Sequence, residues 1–384
     1  MPRHENPEHQ LTCSRRRFII NRTFRISSRF AVAGAVVTAV AIGASPAGVD
    51  PALALDSCFD RAREPYTSVV DSHLHTRPFG GKAIPFEELN GYLQKSGVRY
   101  ASMYGIGQTL PADSGCTYYL DCPGVPVVPS MKNDFVNASN YLEAKPEDPE
   151  LTPSMTFMDL NHPETIPSGI NLYDKEFPGV FRWAGEVNLV KQALFPNQQK
   201  AATIENIKNW APFMKVLRDR GIPITIHSDL GSNADRLKYL PLMEETLRRY
   251  PKNKIVWAHM GLSKELSTMD PDQHIGIMER LLDRYPRLTL DLSWRVLEDQ
   301  YFSKPGVRRK YAAFLDRYPT RAIPGTDFVA SANKDYQDYE EELDVTSRIN
   351  KALSNEAFRD IALGRNYFRL LGIDRTPPTV CKAR

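Results

Sequence analysis

Beyond residue 55 the chain lacks any low-complexity tract, charge block or linker-like stretch, so nothing in the following 330 residues marks a disordered arm or a domain seam. It lacks a G-x-G-x-x-G fingerprint, the usual mark of an open, doubly wound nucleotide-binding sheet. No two cysteines stand at C-x-x-C spacing, which argues against a thiolate metal site. It also lacks a basic excess where a nucleic-acid face would need one. The net charge is +3, but residues 1–54 hold seven arginines against three acids, or +4, leaving −1 for the remaining 330 residues. The apolar run Phe30–Ala44, "FAVAGAVVTAVAIGA", is short and weakly hydrophobic beside the ~20 strongly apolar residues of a membrane span.

What the first 54 residues do contain reads as an export signal. An arginine-rich start leads into that alanine-rich run, and "ALA" at Ala52–Ala54 fits the small-x-small cleavage pattern. "SRRRFII", Ser14–Ile20, resembles a twin-arginine signal, with an ordinary secretory signal or an uncleaved anchor as alternatives. The expectation is a protein sent to the periplasm or outside the cell and free of the membrane after cleavage. Four cysteines then remain: Cys58, Cys116, Cys122 and Cys381. An even number in an oxidising compartment suggests disulfides, with Cys116–Cys122 closing a small ring and Cys58–Cys381 joining the two ends; four free thiols are the alternative.

Residues 55–384 read as a single domain in which one pattern recurs. A short apolar, β-branched run is followed by a loop and then a helical stretch. The runs span 68–75, 98–107, 153–160, 181–189, 222–229, 254–261, 287–294 and 321–328. Between them, "TIENIKNWAPFMKVLRDRG" is a helix stopped by glycine, and three helices end "RYP" before the next strand. Strands alternating with helices imply a parallel sheet, and eight such units predict a (β/α)₈ TIM barrel, an open sheet being the alternative. An insertion at about 109–152 follows the second strand and is expected to form part of a lid.

Barrel enzymes place their chemistry at the C-terminal ends of the strands. Of six histidines after residue 54, four fall there: His73 and His75 on strand 1, His227 on strand 5, His259 on strand 6. Strand 4 ends in Glu186, strand 7 carries Asp291 and Ser293, and strand 8 ends in Asp327. Residues i and i+2 of a strand share a side, so His73 and His75 both face the mouth while Leu74 faces the helices. In a closed barrel strand 8 adjoins strand 1 and brings Asp327 beside the pair, with His227 across the mouth. Three imidazoles and a carboxylate suit a divalent ion such as zinc, with a position left open. Glu186 itself reads as a ligand, as a carboxylate behind a histidine N–H, or as a partner of Arg182. His259 is assigned acid–base work, with fifth ligand as the alternative, and Asp327 acts as ligand and proton acceptor. Asp71 reads as core or support, Arg295, His162 and Trp294 as substrate contacts, and His274 as exposed.

With "DSHLH", "GEVNL", "ITIHSD", "VWAHMG" and "IPGTDF" at these strand ends and "ALGRNYFRLLGI" at Ala362–Ile373, residues 66–373 resemble the amidohydrolase superfamily, in its amidohydrolase-related branch. The resemblance implies a metal-dependent barrel enzyme hydrolysing amides, esters or lactones, with His73, His75, His227 and Asp327 as ligands and His259 catalytic. A sub-branch decarboxylates aromatic or unsaturated acids instead, and a non-catalytic binding protein on the same barrel is a third reading. Many two-metal members carry a carboxylated lysine on strand 4; Glu186 at that position departs from the pattern, so the resemblance implies one ion, with Glu186 leaving room for a second. The expected partner is a small-molecule substrate; self-association is left open.

Overall fold

The structure is a computed structural model and describes residues 58–382. The expected export signal at residues 1–54 lies outside them. The apolar runs form β1 (Val70–His75), β2 (Tyr100–Tyr104), β3 (Glu150–Met155), β4 (Trp183–Val190), β5 (Ile224–Ser228), β6 (Ile255–Trp257) and β7 (Leu288–Asp291), and the eighth run splits into β8 (Ala322–Ile323) and β9 (Phe328–Val329). All nine join one sheet in the order β8-β7-β6-β5-β4-β3-β2-β1-β9, with every pairing parallel. β3 starts at Glu150, ahead of the run expected from Pro153. Proline loses a donor but keeps its acceptor, and the Pro153 carbonyl still receives Arg182 N–H at 3.2 Å.

Because β8 and β9 belong to one run, a single segment supplies both edges of the sheet. Leu292 N–H donates to the Ile323 carbonyl at 3.0 Å on one side, and Asp327 N–H to the His73 carbonyl at 2.8 Å on the other. The sheet is therefore curled, and the α/β architecture is TIM-barrel-like. A helix follows every strand unit: Phe86–Lys95, Lys132–Ala144, Ile166–Glu176, Ala211–Asp219, Leu240–Arg249, Pro271–Arg284, Pro305–Arg317 and Tyr336–Ser347. The stretch expected as one helix at 203–221 is two, Ile204–Lys208 and Ala211–Asp219, because Pro212 cannot donate inside a helix and begins a new one instead. Among the described residues no helix is long and apolar enough to cross a membrane.

The main core lies between sheet and helices, as burial on both faces of a parallel sheet requires. A second cluster closes the end opposite the strand C-termini. There the short helix Arg365–Leu371 brings Tyr367 against Trp183, Tyr104, Val70 and Val256, with the Tyr367 and Trp183 rings stacked at 5.8 Å. Both disulfides are formed, Cys58–Cys381 and Cys116–Cys122. The insertion carries a small ribbon, Gln108–Thr109 paired with Val128–Pro129, and the Cys116–Cys122 loop.

His274 is fully buried, contrary to expectation. The Pro271–Arg284 helix presents it inward, where its Nε2–H donates to the Met260 carbonyl at 3.0 Å and its Nδ1 pairs with the Tyr311 hydroxyl at 2.8 Å. Burial lowers its pKa from 6.5 to about 4. The unfolded chain then binds the proton more readily, so stability is full above pH 6.5 and falls as the pH drops towards 4. Between pH 7 and pH 5 this group should remove about 2 kcal/mol of unfolding free energy. Urea melts of wild type and His274→Gln at both pH values check it; an equal pH loss in both proteins would refute the assignment.

Candidate metal centre

The strand ends bring His73, His75, Glu186, His227, His259, Asp291 and Asp327 together, all buried except for the partly exposed Asp327. Several backbones there adopt a conformation rare outside glycine: His259 at φ 53°, Trp294 at φ 77° and Asp327 at φ 59°. Such residues concentrate where side chains must be aimed against local preference. On β4, Gly185 permits the close approach that admits Glu186: φ is 97°, and a Cβ there would lie 2.2 Å from the Thr225 carbonyl oxygen.

Each histidine is fixed by its second nitrogen. His73 Nδ1 contacts Asp291 Oδ2 at 2.6 Å, and that carboxylate is held in turn by the backbone N–H and hydroxyl of Ser293 at 2.7 and 2.9 Å. His75 Nδ1 faces the Gly105 carbonyl at 2.8 Å, and His259 Nδ1 faces the Ser293 carbonyl at 3.1 Å. A carbonyl can only accept, so these Nδ1 atoms carry the hydrogen and Nε2 is left with a lone pair when the ring is neutral. The Nε2 atoms of His73 and His75 then face each other at 3.2 Å, with Asp327 Oδ1 3.4 and 3.2 Å away. His259 Nε2 is buried with no hydrogen-bond partner among the described residues. Two imidazole nitrogens and a carboxylate oxygen this close need a cation between them, either a proton on one ring or a metal ion in its place. The donor set therefore fits a divalent metal with N and O ligands, each histidine being oriented by an outer partner.

The charges agree. Burial would raise Glu186 and Asp327, but Lys191 and His227 beside the first and His75 beside the second hold both below the ordinary carboxylate range. Against its burial, His75 is raised to about 9 by Asp327 and Glu186; His227 reaches the same value through Asp229 and Glu186, against burial and Lys191. The cluster draws positive charge inward.

His227 groups with Glu186 and His259, each of which also belongs to a group containing His73. Its Nδ1 meets Glu186 Oε1 at 2.5 Å and its Nε2 meets Asp229 Oδ1 at 2.9 Å. The cation beside Glu186 is Lys191, at 3.1 and 2.9 Å from the two carboxylate oxygens, while Arg182 points away to the Leu371 carbonyl. Asp71 accepts from the Thr326 N–H and hydroxyl at 2.9 and 2.7 Å and from Tyr339, tying the eighth run to β1.

A cavity of about 610 Å³ opens above the cluster, lined by His75, His227 and Asp327 at its floor and by Phe79, Tyr119, Trp294 and Phe328 on its walls. Thr117, Tyr118, Tyr119 and Asp121 of the insertion form part of its rim, where a lid was expected. Trp294 lies against His259 with ring centres 5.0 Å apart. Arg295 also lines the cavity, but Asp299, Glu341 and Glu342 hold its guanidinium at 3.1–3.2 Å. His162 does not line it; its side chain is 66% exposed beside Glu164. Of the cations lining the cavity, Lys82, Lys264 and Lys334 have no ion-pair partner among the described residues. Sequence reasoning gave no role to Asp291, Asp229 or Lys191; Asp291 and Asp229 each carried a signal, as acids at the ends of their apolar runs.

A family model described as amidohydrolase matches residues 155–372. No curated protein matches the sequence. Among solved structures, the chain is similar to an amidohydrolase from Burkholderia multivorans with bound zinc, at 14% identity and a TM-score of 0.53, covering 79% of this chain and 98% of that one. It is also similar to a 2-pyrone-4,6-dicarboxylic acid hydrolase, so described, from Pseudomonas putida, at 15% identity and a TM-score of 0.49, covering 81% and 100%.

Proposed function

Because the chain belongs to the amidohydrolase family and is an enzyme, we propose that it is an exported, metal-dependent hydrolase on a (β/α)₈ barrel, cleaving an amide, ester or lactone bond of a small molecule. The observation that carries this reading is the convergence of the His73 and His75 Nε2 atoms on Asp327 Oδ1, at 3.4 and 3.2 Å. His73, His75 and Asp327 would hold the ion, most simply one zinc, with Glu186 Oε2 facing His75 at 3.5 Å. When bound, such an ion activates water and polarises a carbonyl.

The chain's own residues supply the rest. Asp291 fixes the His73 tautomer, and the Ser293 carbonyl fixes that of His259. His259 Nε2 thereby stays free to take a proton at the reacting centre and return it to the leaving group. Aromatic walls exclude water from an apolar substrate face. With Arg295 neutralised by three carboxylates, the lysines at the rim are the groups that favour a substrate bearing a negative charge. Two disulfides support the proposal of export.

The test is metal analysis of the purified protein, then a panel of lactones, esters and amides offered as free carboxylates and as their neutral methyl esters. At least half an equivalent of transition metal and turnover with water incorporated are expected, faster for the carboxylates. Less metal than that sinks the proposal. Release of carbon dioxide without water incorporation would make the enzyme a decarboxylase.

A further inference from the structure

We propose that Lys191 is a built-in cation standing in for a second metal ion, so that the centre is confined to one; this rests on the reading above that the cluster binds metal. Among the described residues three groups of donor atoms lie close enough to share an ion: His73, His75 and Glu186; His73, His259 and Asp327; and Glu186, His227 and His259. The first two share His73 and surround one place. The third adds His227, shares Glu186 with the first and His259 with the second, and so adjoins that place, but its donors are chemically different.

In the first place the Nε2 atoms of His73 and His75 face each other and Asp327 Oδ1, so an entering metal displaces no more than a proton. In the third, both oxygens of Glu186 already accept from the Lys191 ammonium at 3.1 and 2.9 Å. Both nitrogens of His227 are taken as well, one by Glu186 and one by Asp229. Only His259 Nε2 remains unpartnered there. A metal entering this place would displace an ammonium that is itself buried, with 10% of its side chain exposed. Of the other carboxylates near it, Asp229 is engaged by His227 and Gln192, and Asp327 is assigned to the first ion. A buried ammonium and a buried carboxylate stabilise each other only as a pair, and removing either leaves an uncompensated charge. Lys191 thus satisfies Glu186 without metal, and the place is closed by occupation.

The converse is that losing the ammonium should open it. Apo protein is prepared by chelation, incubated with excess zinc chloride and freed of unbound ion by gel filtration; zinc per chain is then counted by plasma mass spectrometry. Wild type should retain one zinc, Lys191→Arg one, and Lys191→Met close to two. The metal-free Lys191→Met protein should melt below metal-free wild type and continue to gain melting temperature with the second equivalent of zinc, where wild type saturates after the first. If Lys191→Met does not fold, Lys191→Gln carries the same expectation, because it can hydrogen-bond Glu186 but brings no charge. Two zinc ions in wild type, or one in the uncharged variants, overturns the inference. No zinc in wild type would instead defeat the function proposed above.

Discussion

Replacing Asp327 by Asn is expected to lower kcat/KM by at least ~10³-fold, about 4 kcal/mol of transition-state stabilisation, on whichever panel compound the wild type turns over. The substitution is chosen to spare the fold. Asp327 adopts φ 59°, a conformation asparagine tolerates as readily, and its backbone N–H to the His73 carbonyl is untouched. What is lost is the charge that faces two imidazole nitrogens 3.2 Å apart. The amide can place its oxygen there, but as a neutral and weaker donor to a metal. Zinc content should therefore fall together with activity. His259→Asn makes the informative contrast. It too stands at a left-handed position, φ 53°, and its Nε2 is the unpartnered atom. If that nitrogen moves protons and does not hold the ion, His259→Asn loses turnover to a similar degree while retaining zinc. Loss of zinc in His259→Asn would make it a ligand, and activity of Asp327→Asn within tenfold of wild type would remove Asp327 from the site.

The histidines were legible because strand parity is simple where a strand is regular. His73 and His75 are two apart, so they share a side, and placing each run's last polar residue at one rim follows from parallel topology. Lys191 was not legible for the same reason in reverse. Five residues separate it from Glu186, an odd number, which in a regular strand sends the two side chains to opposite faces. β4 is not regular: its register against β5 shifts between Ala184 and Val187 and again between Asn188 and Val190. The second irregularity falls between Glu186 and Lys191 and resets parity, so that Lys191, just past the strand, turns back onto Glu186. The state of Arg295 was hidden differently. Its place after β7 could be read, but Glu341 and Glu342 lie 46 and 47 residues later, on a helix whose facing surface depends on the whole curl of the sheet. His274 looked exposed because one histidine in a mixed helix carries no sign of which face it is on.

Removing the Cys58–Cys381 bond should lower unfolding free energy by about 4 kcal/mol and the melting temperature by roughly 6 °C, from the entropy scale of a chain of this size. The bond closes a loop with a sequence separation of 323, against 6 for Cys116–Cys122. Loop-closure entropy alone gives about 5–6 kcal/mol for the long loop and about 2 for the short one, with native bonds commonly worth about 2–5 in practice. Thermal melts of Cys58→Ser/Cys381→Ser and Cys116→Ser/Cys122→Ser against wild type test both size and order; a long-loop variant melting within a degree of wild type rejects the argument. The fold brings these ends together without the bond. Phe59 N–H donates to the Thr379 carbonyl at 2.7 Å, Cys381 N–H donates to the Phe59 carbonyl at 3.0 Å, and the Phe59 ring lies 5.4 Å from that of Phe358. The sulfurs can therefore meet after the sheet has formed. That order is what export in the folded state would demand if the chain leaves through the twin-arginine route, since the bond would close only once the chain reached oxidising surroundings. The activity of Cys58→Ser/Cys381→Ser should equal that of wild type at temperatures below its own melting point, because neither cysteine approaches the cavity.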